Sequence, residues 1–105
     1  MYKVVRKSEA VERKIAESKT VKNYITKDVT QDVSLAVTEM TDHSEKETTH
    51  YNRIYYVIKG SLILIIDGEE IILHEGDAGF IPAGTTYEMK GTSKIVTVNQ
   101  PACGT

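Results

Sequence analysis

The sequence predicts an all-β domain, a small antiparallel sheet closed into a jelly-roll barrel, on three observations. Between Glu47 and Gly91 the apolar β-rich runs IYYVI, SLILII, EEIIL and GFI follow one another at short intervals, each too brief for a helix. Glycine-bearing turns separate them at Lys59-Gly60, Asp67-Gly68, Gly76-Asp77 and Ala83-Gly84, and the Asp-Gly pair suits the positive φ angles of a tight hairpin. Upstream, VTQDVSLAVTEM alternates so that Val29, Val33, Leu35 and Val37 share one face, the pattern of a half-buried strand. Eight or so short strands with almost no helix close naturally as a jelly roll, which buries one face of each strand and leaves little open edge.

Taken in order, YKVVR at residues 2–6 reads as a short strand. SEAVERKIAESK after it is polar, with Val11, Ile15 and Ala16 on roughly one helical face, which fits one or two helical turns or a draped arm. VKNYI begins the strands; residues 1–28 form the arm and first strands, 29–98 the barrel and 99–105 the tail of a single domain. TDHSEKE, residues 41–47, is a charged segment without an apolar anchor and is expected as a loop at the barrel mouth or outside it. IYYVI turns at Lys59-Gly60 into SLILIID as its antiparallel partner, and EEIIL pairs back after Asp67-Gly68. AGFIP is a short strand ended by Pro82, TTYEM and KIVTV supply the last strands, and NQPACGT is expected to fray.

Composition narrows the classes. At 105 residues the chain is one domain, of a size that buries about two thirds of its unfolded surface. Lys plus Arg number 13 against 15 Asp plus Glu, and a net charge of −2 makes no electrostatic case for nucleic acid or an anionic membrane. No apolar run approaches the ~20 residues of a membrane span, and MYKVVRKSEA lacks the apolar core of a signal peptide, so the expected location is the cytoplasm. The single cysteine, Cys103, has no internal disulfide partner and lies in a tail expected to be too mobile to hold a base beside it.

Gly76, Pro82 and Gly84 stand in G-x5-P-x-G order, and Gly60 closes the strand RIYYVIKG. In these residues the sequence resembles the cupin family, over residues 33–98. The second cupin motif, G-x5-P-x-G-x2-H-x3-N, lies on Gly76 to Gly91 without a gap, and the first, H-x-H-x3-E-x6-G, on Glu47 to Gly60. YNRIYYVIKGSLILIIDGEEI and GDAGFIPAGTTYEM look most like the cupin domain of ethanolamine-utilisation proteins and other stand-alone small cupins. Where the family usually has His, His, Glu and His, this chain has Glu47, Thr49, Arg53 and Tyr87, and Tyr51-Asn52-Arg53 replaces a common YDE-type sequence. The resemblance implies a bend at residues 50–52 that turns Glu47, Thr49, Arg53, Tyr55 and Tyr87 into the barrel, with Tyr51 near its lip. It also implies a homodimer, since small cupins often use the N-terminal segment to cover an edge or to exchange with a partner. Cupins include isomerases, epimerases, dioxygenases, lyases, storage proteins and ligand sensors, and the fold alone does not choose among them.

The substituted positions decide which chemistry to expect. A guanidinium is permanently charged and carries only donors, so Arg53 repels a cation where the usual carboxylate ligand would sit. Thr49 and a neutral tyrosine are poor metal ligands. The same set suits a small polar or anionic metabolite: Arg53 as the anchor, Thr49, Tyr51 and Tyr55 as hydrogen-bonding groups, and Glu47 and Tyr87 as base and acid. An isomerase or lyase acting beside a carbonyl without a cofactor fits that set. One alternative is a ligand-sensing or accessory protein without turnover. Another is a metal-dependent enzyme that binds a divalent ion through His43, Glu47 and His50, in H-x3-E-x2-H order, if the loop folds back. A structural reading stands beside all three, in which Arg53 and Glu47 neutralise each other inside a filled barrel. His74 is expected at the surface.

Overall fold

The protein is described by a computed structural model over residues 1–103. A 3-10 turn at Lys7–Glu9 precedes β1 (Val11–Ala16), β2 (Lys19–Ile25), β3 (Ser34–Thr48), β4 (Asn52–Gly60), β5 (Leu62–Ile66), β6 (Glu69–Leu73), β7 (Ala78–Ile81) and β8 (Thr86–Gln100). All pairings are antiparallel, in the order β1-β2-β3-β8-β4-β7, with β5 on β8 and β6 on β5.

Two 15-residue strands make this sheet a barrel. β3 and β8 pair along nearly their full length, from Ser34↔Asn99 to Thr48↔Thr86, and each bends so that it serves two layers. The late half of β8 pairs with β4, through Arg53↔Asn99 and Tyr55↔Thr97. Its early half pairs with β5, through Ile63↔Lys90 to Ile66↔Tyr87. The two layers face each other as in a jelly roll. Val57, Leu62, Leu64, Met89 and Ile95 pack between them in the core, and the two tyrosines Tyr55 and Tyr87 join the same cluster.

Local turn chemistry behaves as the sequence predicts at Asp67-Gly68, where φ is 52° and 77°, both in the left-handed region a tight hairpin requires. Gly60 has a different task. β4 does not pair with β5; the chain instead crosses between layers at Gly60. A Cβ there would stand 2.3 Å from the Thr92 carbonyl oxygen at a φ of +78°, so only glycine fits the crossing.

Other expectations are corrected. Residues 2–6 form no strand, and the segment after them, expected as one or two helical turns or a draped arm, is the 3-10 turn and β1. Val11 and Ile15, four apart, suit either period, and pairing with β2 from Val11↔Asn23 to Ala16↔Lys19 decides for the strand. TDHSEKE is not a loop but the continuation of β3, with a register shift between Met40 and His43 and Asp42 at a φ of 46°. Leu35 and Val37 are only half buried, while Ser34, Thr38 and Met40 on the alternate face are buried; Val29 lies outside the strands. The inward face of early β3 is small and polar because it lines a cavity. The tail does not fray up to Cys103: Ala102 N donates to Gln31 O at 3.0 Å and Cys103 N to Ser34 Oγ at 2.9 Å. The last two residues of the expected tail lie outside the described residues. Among the described residues no helix is long and apolar enough to cross a membrane.

Candidate functional site

A cavity of about 300 Å³ opens between the layers. The β1–β2 hairpin contributes Arg13 and Lys19 to its wall, early β3 and late β8 contribute Ser34 and Asn99, and the other side carries Glu47, Arg53 and Tyr55. Strand geometry explains the last three. Arg53 and Tyr55 stand two apart on β4 and point the same way, and β8 brings Tyr87 opposite Glu47 and Asn99 opposite Arg53.

Arg53 is the hub. Only 9% exposed, it donates from Nε to Asn99 Oδ1 at 2.6 Å and from Nη1 to Tyr87 Oη at 2.7 Å and Tyr55 Oη at 3.5 Å. The same Nη1 forms an ion pair with Glu47 Oε1. Tyr87 Oη donates to Glu47 Oε1 at 2.7 Å, and the hydroxyls of Tyr55 and Tyr87 are 2.6 Å apart. The Tyr51 ring lies 5.9 Å from the guanidinium carbon, a cation–π contact. Nη2 makes no hydrogen bond to a described residue. Ser93 Oγ is the one side-chain nitrogen or oxygen fully buried without a partner among the described residues. Nη2 therefore keeps accessible surface, on a residue that lines the cavity, with its donors unspent.

Burial works to lower the Arg53 pKa, but the oxygens of Tyr55, Tyr87 and Glu47 outweigh it, and the net direction is up. Burial pushes the Tyr87 phenol up, aided by Tyr55 and by the bond to Glu47. Burial also raises Tyr55, against the opposing pull of Arg53. The site is a fixed cation held among neutral phenols, beside the carboxyl group of Glu47.

The structure brings Glu47, Arg53, Tyr55 and Tyr87 into one network, and it separates the remaining predicted residues from the cavity. Tyr87, at 1% exposure, lies behind Glu47 and Tyr55, so its hydroxyl positions those groups instead of meeting a guest. Thr49 is corrected as a ligand-binding residue: it is buried outside the cavity wall, and its hydroxyl donates to Tyr51 O and accepts from Tyr51 N, closing the turn into β4. Tyr51 stacks near Arg53 without lining the wall.

The metal alternative is corrected as well. His43 and Glu47 lie four residues apart on one extended strand, ~13 Å, and His50 is exposed beyond its end. Among the described residues no three His, Cys, Asp or Glu side chains are placed to hold a metal ion. At the positions where cupins usually carry metal ligands, the sole carboxylate is taken by Arg53 and Tyr87, and Arg53 itself repels a cation. The residues present do not fit a metal centre.

A second polar cluster was missed in the sequence. His43 Nδ1 lies 2.7 Å from Ser18 Oγ, its Nε2 lies 2.9 Å from Glu45 Oε1, and Lys19 pairs with the same carboxylate oxygen. Burial works to raise Glu45, but the bond and charge of Lys19, with those of His43, carry it below the usual carboxylate range. The alternation His43, Glu45, Glu47 was the available signal, a period-two polar face inside a segment whose charge suggested a loop. Asn99, Arg13 and Lys19 left no local signal.

Comparison with known proteins agrees with this architecture. The cupin-domain family model matches residues 34–98. The chain belongs to the cupin family. Among curated proteins, this cupin is 33% identical over 66 residues to the acetate kinase EutQ of Clostridioides difficile strain 630, a match covering 61% of this chain and 42% of that one. The chain thus spans less than half the length of that relative. Two solved structures share the fold over almost the whole cupin. KdgF from Halomonas sp. superposes with a TM-score of 0.84 at 17% identity, over 96% of each chain. The putative ethanolamine utilization protein Q of Salmonella typhimurium LT2 superposes with a TM-score of 0.82 at 23% identity, over 95% of this chain and 86% of that one.

Proposed function

We propose that this cupin binds a small polar or anionic metabolite in its barrel, anchored on Arg53, and acts on it as an isomerase or lyase without a metal. The observation that carries the reading is the open Nη2 of a nine-tenths-buried arginine on a cavity wall. Among the described residues Arg13, Lys19 and Arg53 line that cavity and Glu47 is the one acid on its wall, with Lys19 also paired to Glu45, on a chain whose net charge is −2, so the wall carries an excess of positive charge where a guest enters. The curated relative is by name a kinase of acetate, a small carboxylate, which agrees with an anionic guest. Glu47 is the base, Tyr55 the hydroxyl that meets the guest, and Tyr87 the group that orients both. Calorimetric titration with acetate, oxalate and phosphate tests the anchor: Arg53→Gln abolishes binding with the fold intact by circular dichroism, and undiminished binding refutes the reading.

One observation favours a sensing or accessory role without turnover. Arg53, Glu47, Tyr55 and Tyr87 satisfy one another, so the network is stable without chemistry. Exchange of carbon-bound protons of oxo acids into deuterated water, followed by NMR, separates the two readings. Exchange that depends on Glu47 belongs to the enzyme, and binding without exchange to the sensor.

The proposal includes a homodimer formed by a second copy of this chain. β1 is a sheet edge exposed along its whole length, and Ile54, Tyr56, Ile58 and Phe80 stand exposed on β4 and β7. Sedimentation equilibrium that gives the mass of one chain at every concentration opposes it.

A further inference from the structure

The anion-site reading leaves one cation of the cavity wall without a task. Lys19 is taken by Glu45, and Arg53 is largely taken by Glu47, Tyr87 and Asn99. Arg13, on β1, lines the same cavity, yet its guanidinium has no ion pair or hydrogen bond to a described residue. A charge that faces a cavity and is neutralised by nothing within reach is complementary to a guest of opposite sign.

Strand register sets how far this cation stands from the first. Arg13 pairs with Val21, Val21 with Thr38, and Thr38 with Ile95. Arg53 pairs with Asn99, in the row of Ser34. The two rows are four residues of β8 apart, ~13 Å along the strands, and the arginines stand on different strands, with β2, β3 and β8 between them. Val21, Thr38 and Ile95 stand in the row of Arg13, and the row midway to Arg53 carries Asn23, Ala36 and Thr97, all on the cavity wall. Two cationic ends are thus joined by a wall of mixed polarity.

We propose that the natural guest is a dianion whose two charged groups are held apart by an extended stem, one end on Arg53 and the other on Arg13. This rests on the reading of the cavity as an anion site and names its substrate class. A short dianion reaches one arginine at a time; an extended one reaches both.

Calorimetry of the full chain with matched pairs of acids tests this: malonate against propionate, glutarate against pentanoate, and pimelate against heptanoate. The diacid of a longer pair binds about tenfold tighter than its monoacid, the least that a charge-assisted hydrogen bond contributes, and malonate gains nothing over propionate. Arg13→Gln removes the diacid advantage. That variant changes an exposed side chain with no bond to lose, so the fold is retained. Equal affinity within every pair, or an advantage that survives Arg13→Gln, overturns the inference while the anion site stands. Failure of the wild-type chain to bind any monoacid or diacid removes the anion site and this inference with it.

Discussion

Replacing Arg53 by Met removes the charge around which the cavity wall is arranged. Asn99 Oδ1 and Tyr87 Oη lose their donor, and the Glu47 carboxylate is left facing two phenols without its cation. Breaking a buried ion pair from one side costs ~3–5 kcal/mol, and the low end applies because the Glu47 side chain is 33% exposed and water can reach it. A loss of about 3 kcal/mol corresponds to a fall in Tm of roughly 14 °C for a domain of this size. The sign of the second substitution is the sharper expectation. Once Arg53 is gone, Glu47→Gln replaces a stranded carboxylate by a neutral amide, so the double variant is more stable than Arg53→Met alone by about 1–2 kcal/mol. Urea unfolding at constant m-value measures all four corners of the cycle. Strictly additive losses, or a double variant weaker than Arg53→Met, refute the claim that Arg53 holds Glu47 in place.

Tyr55 and Tyr87 are pushed upward by burial, so the fold favours their neutral forms. The stability this contributes is present below their ordinary range near pH 10 and is lost as pH rises beyond it; near-ultraviolet titration shows these two phenols ionising only as the chain unfolds, and their ionisation in the intact fold overturns the assignment. Glu45 titrates below its ordinary value, so its contribution is present above about pH 4.3 and is lost as pH falls through its lower folded value. Lys19→Met therefore narrows the stability difference between neutral and acid pH in urea melts, and an unchanged difference shows that the pair contributes nothing. Gly60→Ala sets a Cβ 2.3 Å from a backbone oxygen, whereas Gly76→Ala meets nothing within 4 Å. Gly76→Ala costs about 1–2 kcal/mol from its positive φ alone, Gly60→Ala costs distinctly more or prevents folding, and equal losses in denaturant melts contradict the crossing geometry.

Much of the barrel was legible because its signals are local. Asp67-Gly68 specifies a hairpin through the φ angles its residues tolerate, and the period-two runs specify strands through the alternation of their faces. That Arg53, Glu47 and Tyr55 stand on the cavity wall was implied by the register of the cupin resemblance. Those properties belong to a few adjacent residues and survive in the sequence. Which strand lies beside which does not: SLILII, expected against IYYVI, pairs with β6 and β8 across the barrel. The charge of residues 41–47 concealed a strand because its inward groups find partners far off in the chain, on Ser18 in the β1–β2 turn and Lys19 at the start of β2. Tyr87 was placed correctly inside, but only the closed wall put its hydroxyl behind Glu47 and Tyr55. Arg13 joined the cavity because β1 pairs with β2. Turn chemistry and face alternation are set by neighbours along the chain, whereas the depth of a hydroxyl and the partner of a charge are set by strands that meet only when the sheet closes.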